Sequence, residues 1–481
     1  MKAITLIFSW PQLPAPASAD QPRFLGFLSA RRFPRLTPRK ARSARRSCGF
    51  DRSPRGWRPS VRGRYTGLGH EREEPRMQVE TDPRDVGLCP DRLERIDAWM
   101  RGYVESGRLA GLSVSVLRGG QTAFFRAHGH ADLARDRPFA ADTITRIYSM
   151  TKPLTSLAVL MLYEEGRFQL DDPVSRFLPE FAEMRVVTGG NRAKLETEPA
   201  LRAITIRDLL THTSGLTYGF MEATLVDALY RQNEIDFQTS SLPLGDLVAK
   251  LAEQPLLAQP GAEWNYSVAT DVLGHLVAVV SGIDFAEFMR TRILHPLGMD
   301  DTDFFVPEEK QARFAANYAF DRAGKLRLYD DSVGSRFLAP PPLASGGGGL
   351  VSTAVDYLRF CRMILNLGEL DGVRLLGRKT VELMLMNHLP GDLAAMGQPR
   401  FAESSYAGIG FGLGVSVMLD PARAQILGTP GEVSWGGVAS TSFWIDPDED
   451  MAVLLLTQLV PSSALPLRRE LRVLTYAAIE S

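Results

Sequence analysis

Two stretches of alternating apolar residues lie near opposite ends of the chain, and they limit its fold more than any other feature. "GLSVSVLRGGQTAFFRAHGHAD" (111–132) reads as a hairpin: one alternating strand, a Gly119-Gly120 turn, then a second strand. "EVSWGGVASTSFWIDPDEDMAVLLLTQ" (432–458) reads as two strands around the "DPDED" turn. A helix over 91–107 precedes the first hairpin, with Leu93, Ile96, Trp99, Met100 and Val104 on one face. A final helix, about 463–479, follows the second. Between them, about 150–300 is mostly helical, with helices expected over 153–165, 205–211, 243–253, 267–281 and 284–293. The expected class is α+β: an antiparallel sheet drawn from both ends of the chain and flanked by helices. The sheet part covers about 85–148 and 340–481, and an inserted, mainly helical part covers about 149–340. There are no internal repeats.

The chain has 481 residues, too many for one compact core and enough for two or three subdomains. Residues 1–76 carry 17 Lys and Arg against 5 Asp and Glu, whereas the remainder carries 38 against 51. The body is acidic and offers no basic field for nucleic acid. No apolar run reaches the roughly 18 residues needed to span a bilayer, so no membrane partner is expected. Three cysteines (Cys48, Cys89, Cys361) form no CxxC and no even framework. His128 and His130 share one face of a strand, but without nearby Cys or carboxylate partners no metal site is expected.

The first 76 residues imitate a secretory signal at "MKAITLIFSWPQLPAPASADQ" and then run into an Arg-, Pro- and Ser-rich stretch that cannot bury a core. Three readings compete: a signal plus linker, an Arg-rich transit-like leader, or translated upstream sequence with the true start at Met77. We favour the last, which makes the cytoplasm the expected compartment; a working signal over 1–19 would make it secreted or periplasmic.

The candidate chemistry starts at "RIYSMTKPLTSLAVLMLYEEG" (146–166). Proline is tolerated only in the first turn of a helix, so Pro153 marks a helix start, with Ser149 at or near the N-cap and Lys152 one turn up. Serine is a favoured cap and needs no chemistry to explain it. Lysine in the first turn meets the positive end of the helix dipole and is harder to explain. From Met77 onward only six of the 38 basic residues are lysines. Arginine cannot give up its proton, so a base here has to be lysine. A nucleophile also needs a second proton-handling group and an oxyanion hole. Tyr266 in "WNYSVATDVLGHLVAVVSG" offers the first, and the glycines of "SWGGVASTSFW" let a substrate approach a strand backbone. The strand–turn–helix motif G-x-S-x-G is absent.

The order S-x-x-K, then Y-S-x, then W-G-G resembles the serine β-lactamase and penicillin-binding-protein superfamily. It looks most like the class C-type esterase branch, which includes carboxylesterases and the lovastatin-pathway acyltransferase. "ITIRDLLTHTSGLTYG", "LHPLGMDDTDF", "ASGGGGLVSTAVDYLRFCRMILNLGELDGVRLL" and "GFGLG" add to the likeness, which covers about residues 85–480. The resemblance implies a β-lactamase/transpeptidase-like fold and an acyl-enzyme on Ser149. It further implies proton work shared by Lys152 and Tyr266, with Tyr266 as a phenolate held low by Lys152. The oxyanion hole would be the backbone N–H groups of Ser149 and Val438, with Val438 on the edge strand. Trp435, Gly436 and Gly437 would bind substrate. His212 would be structural, and Gly346–Gly349 would shape the cleft rim or form a mobile turn. No cofactor or metal is implied, and the partner is a small-molecule ester.

Two departures separate this chain from the true β-lactamases of that resemblance. Their Tyr-x-Asn supplies an amide where this chain has Val268, and their Lys-Thr-Gly supplies a cation where this chain has Trp435. Losing a charge-assisted contact of roughly 1.5–3 kcal/mol weakens binding of a carboxylated β-lactam about 10- to 100-fold, while a neutral ester loses nothing. The expectation is therefore an esterase with weak or absent β-lactam turnover. An acyltransferase would use the same residues; a residual β-lactamase or D-amino-acid peptidase, or a catalytically dead binding module, are the other readings.

Overall fold

The computed structural model describes residues 79–480, except 192, 193, 399, 402 and 403. The readings of the first 76 residues and of Met77 lie outside the described residues. The central feature is an eight-stranded antiparallel sheet. Its strands are β1 (Gly111–Arg118), β2 (Gln121–Asp132), β3 (Arg137–Pro138), β4 (Ile409–Phe411), β5 (Ser416–Met418), β6 (Val433–Gly436), β7 (Ser442–Asp446) and β8 (Met451–Thr457). They lie in the order β4-β5-β6-β7-β8-β1-β2-β3. The two ends of the chain meet where β1 pairs with β8, from Leu112 opposite Thr457 to Arg118 opposite Met451. Gly119 and Gly120 both take positive φ, 60° and 75°, which suits the tight turn between β1 and β2.

Both faces of this sheet are covered, which is why "MAVLLL" reads as an unbroken apolar run. Met451, Val453 and Leu455 pack with α1 (Pro90–Glu105) and the C-terminal helix Leu467–Tyr476. Ala452, Leu454 and Leu456 face the opposite way, into the larger core. That core holds three helices that position the site: α2 (Thr151–Glu164), α3 (Ala269–Ser281) and α4 (Ala354–Leu365), and the C-terminal helix is α5. Thr151–Leu162 of α2 are buried without exception, so this helix runs through the interior.

The structure corrects several local expectations. The 432–458 region holds three strands, because the chain leaves the ladder after Gly436 and re-enters at Ser442. β6 is an inner strand, since β4 and β5 extend the sheet beyond it. Residues 284–293 form a short α-helix, Phe285–Met289, continued as a π-helix over Arg290–Leu294. The helical part also contains a hairpin, Arg185–Asn191 with Lys194–Pro199. Each of the two histidines has a carboxylate partner: His128 Nε2 lies 2.6 Å from Asp97 and His130 Nε2 lies 2.9 Å from Asp136. No single helix among the described residues is long and apolar enough to cross a membrane.

Candidate active site

Ser149 lies on a 3-10 turn, Tyr148–Met150, that leads directly into α2. Helix α2 starts two residues earlier than Pro153 suggested, with Met150 at its N-cap and no side-chain cap. The hydroxyl of Ser149 is therefore not used as a cap. Tyr148, just before it, is held at φ 43°, a left-handed conformation that costs a tyrosine energy and turns the chain sharply.

The structure brings Ser149, Lys152 and Tyr266 together. Tyr266 Oη lies 2.6 Å from Ser149 Oγ, and Lys152 Nζ lies 3.5 Å from the same oxygen. Lys152 is 1% exposed. Its ammonium donates to the carbonyl of Gly347 at 2.6 Å and to Tyr218 Oη at 3.0 Å. It sits 4.6 Å from the ring centroid of Tyr266, so the two meet through the ring face as a cation–π contact. Around Tyr266 the rings of His212, Tyr218 and Trp435 have centroids 5.2–5.5 Å away and fix its plane.

Two residues that sequence reasoning passed over complete this environment. Tyr218 closes the "LTHTSGLTYG" stretch, where only His212 had drawn attention. Asp271 lies in the first turn of α3 and accepts from Ser345 Oγ at 2.6 Å and the Gly347 N–H at 2.9 Å. Burial raises the Asp271 carboxyl above the usual range, opposed by the Lys152 charge and these two hydrogen bonds. Gly347 is thus gripped on both sides, its N–H by Asp271 and its carbonyl by Lys152. The tetraglycine is not a rim: Gly346–Gly348 form a buried turn, the inner wall beside the lysine. The signal available in sequence was an aspartate in the first turn of an otherwise apolar helix.

His212 is buried, and its Nδ1 lies 3.0 Å from Ser267 Oγ. Burial, and then the Lys152 charge, hold its imidazole well below its usual pKa, so it is neutral at pH 7. It packs edge-on against Tyr266. Trp435 is 9% exposed and its ring lies against Tyr266 and Phe411. Gly437 makes a close approach: a Cβ there would fall 2.4 Å from the Ile147 carbonyl, which seats the strand against the Ser149 turn. Val438 lies in the turn after β6 and not on an edge strand; that turn's hydrogen bonds run from Gly437 to Thr441 and from Ser440 to Gly437. Arg468 of α5 lies over Gly436 and donates to the Gly437 and Thr441 carbonyls at 2.9 and 3.1 Å. No group of three or more His, Cys, Asp or Glu among the described residues is arranged to hold a metal.

Comparison with known proteins places the chain among relatives of one family. The sequence profile of the family described as Beta-lactamase matches residues 96–477. Protein Rv1367c of Mycobacterium tuberculosis is 37% identical over 379 residues, covering 77% of this chain and 90% of the relative. Esterase EstB of Burkholderia gladioli is 35% identical over 397 residues, covering 78% and 93%. Among solved structures, "EstCE1, a hydrolase with promiscuous acyltransferase activity" superposes with a TM-score of 0.68 at 28% identity, covering 81% of this chain and 98% of that one. An eight-stranded antiparallel sheet joining both ends of the chain, a buried helix carrying S-x-x-K and a profile spanning almost the whole described body lead to one assignment: the chain belongs to the Beta-lactamase family.

Proposed function

We propose that this chain is a serine esterase that cleaves carboxylic esters through an acyl-enzyme on Ser149. The observation that carries the reading is the 2.6 Å contact between Tyr266 Oη and Ser149 Oγ, with Lys152 Nζ at 3.5 Å. In the resting arrangement Tyr266 donates to Ser149. Once one proton leaves the group the contact reverses, and Ser149 donates as its Oγ attacks the ester carbonyl. Lys152 and Tyr266 share the proton that Ser149 loses and return it to the departing alkoxide. Water then attacks the acyl carbon and gives a proton to the same pair, which returns it to Ser149 Oγ as the bond to the acyl group breaks and the acid leaves. The N–H groups of Ser149 and Val438 are assigned to the oxyanion; the seating of Gly437 on the Ile147 carbonyl, beside the Ser149 turn, supports this.

The wall that would meet a β-lactam carboxylate is the Trp435 ring, packed on Tyr266 and Phe411. Arg468 is the nearby cation, and its Nη2 is occupied by two backbone carbonyls. These features favour esters without a carboxylate over β-lactams. EstCE1's acyltransferase activity supports a second outcome, in which an alcohol replaces water at the acyl-enzyme.

One panel tests this: p-nitrophenyl acetate and butyrate against a chromogenic cephalosporin, with wild type and Ser149→Ala. The expected result is ester cleavage at least about tenfold more efficient than cephalosporin opening, following the lost charge contact, and no cleavage in Ser149→Ala. Ester cleavage surviving in Ser149→Ala would overturn the nucleophile, and a preference for the cephalosporin would overturn the branch.

A further inference from the structure

Lys152 is a buried cation with no carboxylate beside it. Its ammonium meets the Gly347 carbonyl, Tyr218 Oη and, at 3.5 Å, Ser149 Oγ, and no carboxylate lies within ion-pair distance among the described residues. A charge on a side chain this deep is costly unless an opposite charge compensates it. The carboxylate linked to it is Asp271, across Gly347. Asp271 accepts from the Gly347 N–H at 2.9 Å, and Lys152 donates to the Gly347 carbonyl at 2.6 Å. Burial raises the Asp271 carboxyl, and the Lys152 charge is the first influence that pulls it back.

Two further observations single out Asp271. A chain of hydrogen bonds runs to it from the surface, and each one donates in its direction. The exposed Arg336 donates to Gln238 Oε1 at 2.9 Å, Gln238 Nε2 to Ser345 Oγ at 2.7 Å, and Ser345 Oγ to Asp271 Oδ1 at 2.6 Å. A chain of that polarity ends on a group that only accepts, as a carboxylate anion does. The other oxygen, Oδ2, is buried with no hydrogen-bond partner among the described residues, so a proton on it would have no acceptor. The second observation is space. A Cβ on Gly347 would fall 2.4 Å from Asp271 Oδ2 and 3.0 Å from Tyr218 Oη, so glycine is what lets the carboxylate and the tyrosine close on the turn that Lys152 holds.

We propose that Asp271 is the positioning residue of the base: across Gly347 it supplies the counter-charge of Lys152 and holds the ammonium between Gly347, Tyr218 and Ser149. The proposal rests on the esterase reading, and Asp271 acts in it only through Lys152. The other titratable groups around the pair are Tyr218, His212 and Asp236 from the helical part and Tyr266 just before α3. Asp236 is the second carboxylate, and it accepts from the Gln238 N–H and the Thr239 hydroxyl of its own turn.

The test is the pH dependence of p-nitrophenyl butyrate cleavage by Asp271→Asn and Ser345→Ala. Asp271→Asn keeps an amide oxygen for Ser345 and Gly347 to donate to, and removes the charge. Without that charge the protonated form of the Lys152–Tyr266 pair is less stable. The acid limb of kcat/KM should therefore move to lower pH by at least about one pH unit. A residue that only held the fold would change the amount of active enzyme and leave the limb in place. Ser345→Ala keeps the charge and removes a donor that fixes it. Its kcat should fall at least about threefold, with KM within about twofold of the wild type. This second variant decides the question even where Asp271→Asn does not fold. An acid limb in Asp271→Asn within about 0.3 pH unit of the wild type or moved to higher pH, or an unchanged kcat in Ser345→Ala, would each overturn the proposal. The esterase reading fails by a separate result, the absence of p-nitrophenyl butyrate cleavage in the wild type at any pH, which would take this proposal with it.

Discussion

Lys152 is the residue on which both the chemistry and its legibility turn. In the sequence it was an awkward cation at a helix start in a chain that otherwise uses arginine. In the fold its three donors have the Gly347 carbonyl, Tyr218 Oη and, at 3.5 Å, Ser149 Oγ to choose from. Arginine would keep the charge but could not take up a proton, so Lys152→Arg should lower ester turnover by at least about 100-fold. Near-wild-type rates would reduce Lys152 to a fixed charge. Tyr218→Phe removes one acceptor from the ammonium without changing volume much. It should lower kcat by about tenfold, the worth of one hydrogen bond to a charged group, with little change in Tm; unchanged kcat would remove Tyr218 from the site. Ser149, Lys152 and Tyr266 were legible because their types and order carry chemistry. Tyr218 and Asp271 were not, because each meets Lys152 or Gly347 only through the tertiary fold, across 66 and 76 residues of sequence.

At the scale of elements, periodicity located the β1–β2 hairpin and the helices at both ends, and it missed what periodicity does not encode. Gly436 to Thr441 sits inside an apolar stretch, and only the close approach of Gly437 to the Ile147 carbonyl reveals that the strand must stop there. The helix Leu225–Gln232 had a readable signal, the capping box of Thr224 and Asp227, that went unused. α4 was hidden inside a stretch noted for its glycines. Its first turn carries Asp356, whose Oδ2 accepts from the Asp301 N–H and the Thr302 hydroxyl, both at 2.8 Å. Burial, with Asp301 and Asp300 adding to it, pushes this carboxyl up to about 7 from its ordinary 3.8. The native state therefore binds this proton more tightly than the unfolded chain does. The resulting stabilisation is complete below the ordinary carboxylate value and is lost as pH rises through about 7. Between pH 4 and pH 8, stability of the wild type should fall relative to Asp356→Asn by on the order of 3 kcal/mol in urea denaturation. Parallel pH profiles for the two proteins would contradict this.

For the whole molecule, the fold class followed from where the strands lay: two apolar hairpins at the chain's ends can bury their edges only by joining one sheet, and β1 beside β8 is that join. A sheet joined in this way fixes β6 and its glycines against the Ser149 turn. The helical part then brings Tyr218, Tyr266 and Asp271 in from the other side. The catalytic account therefore depends on both parts meeting at one serine. The measurement that tests it most directly is mass spectrometry of the protein quenched during turnover of p-nitrophenyl butyrate. The account requires one added butyryl group on the peptide containing Ser149, formed as p-nitrophenol is released and absent in Ser149→Ala. Release of p-nitrophenol with Ser149 unmodified and the butyryl group on another residue, or with Ser149→Ala fully active, would contradict it.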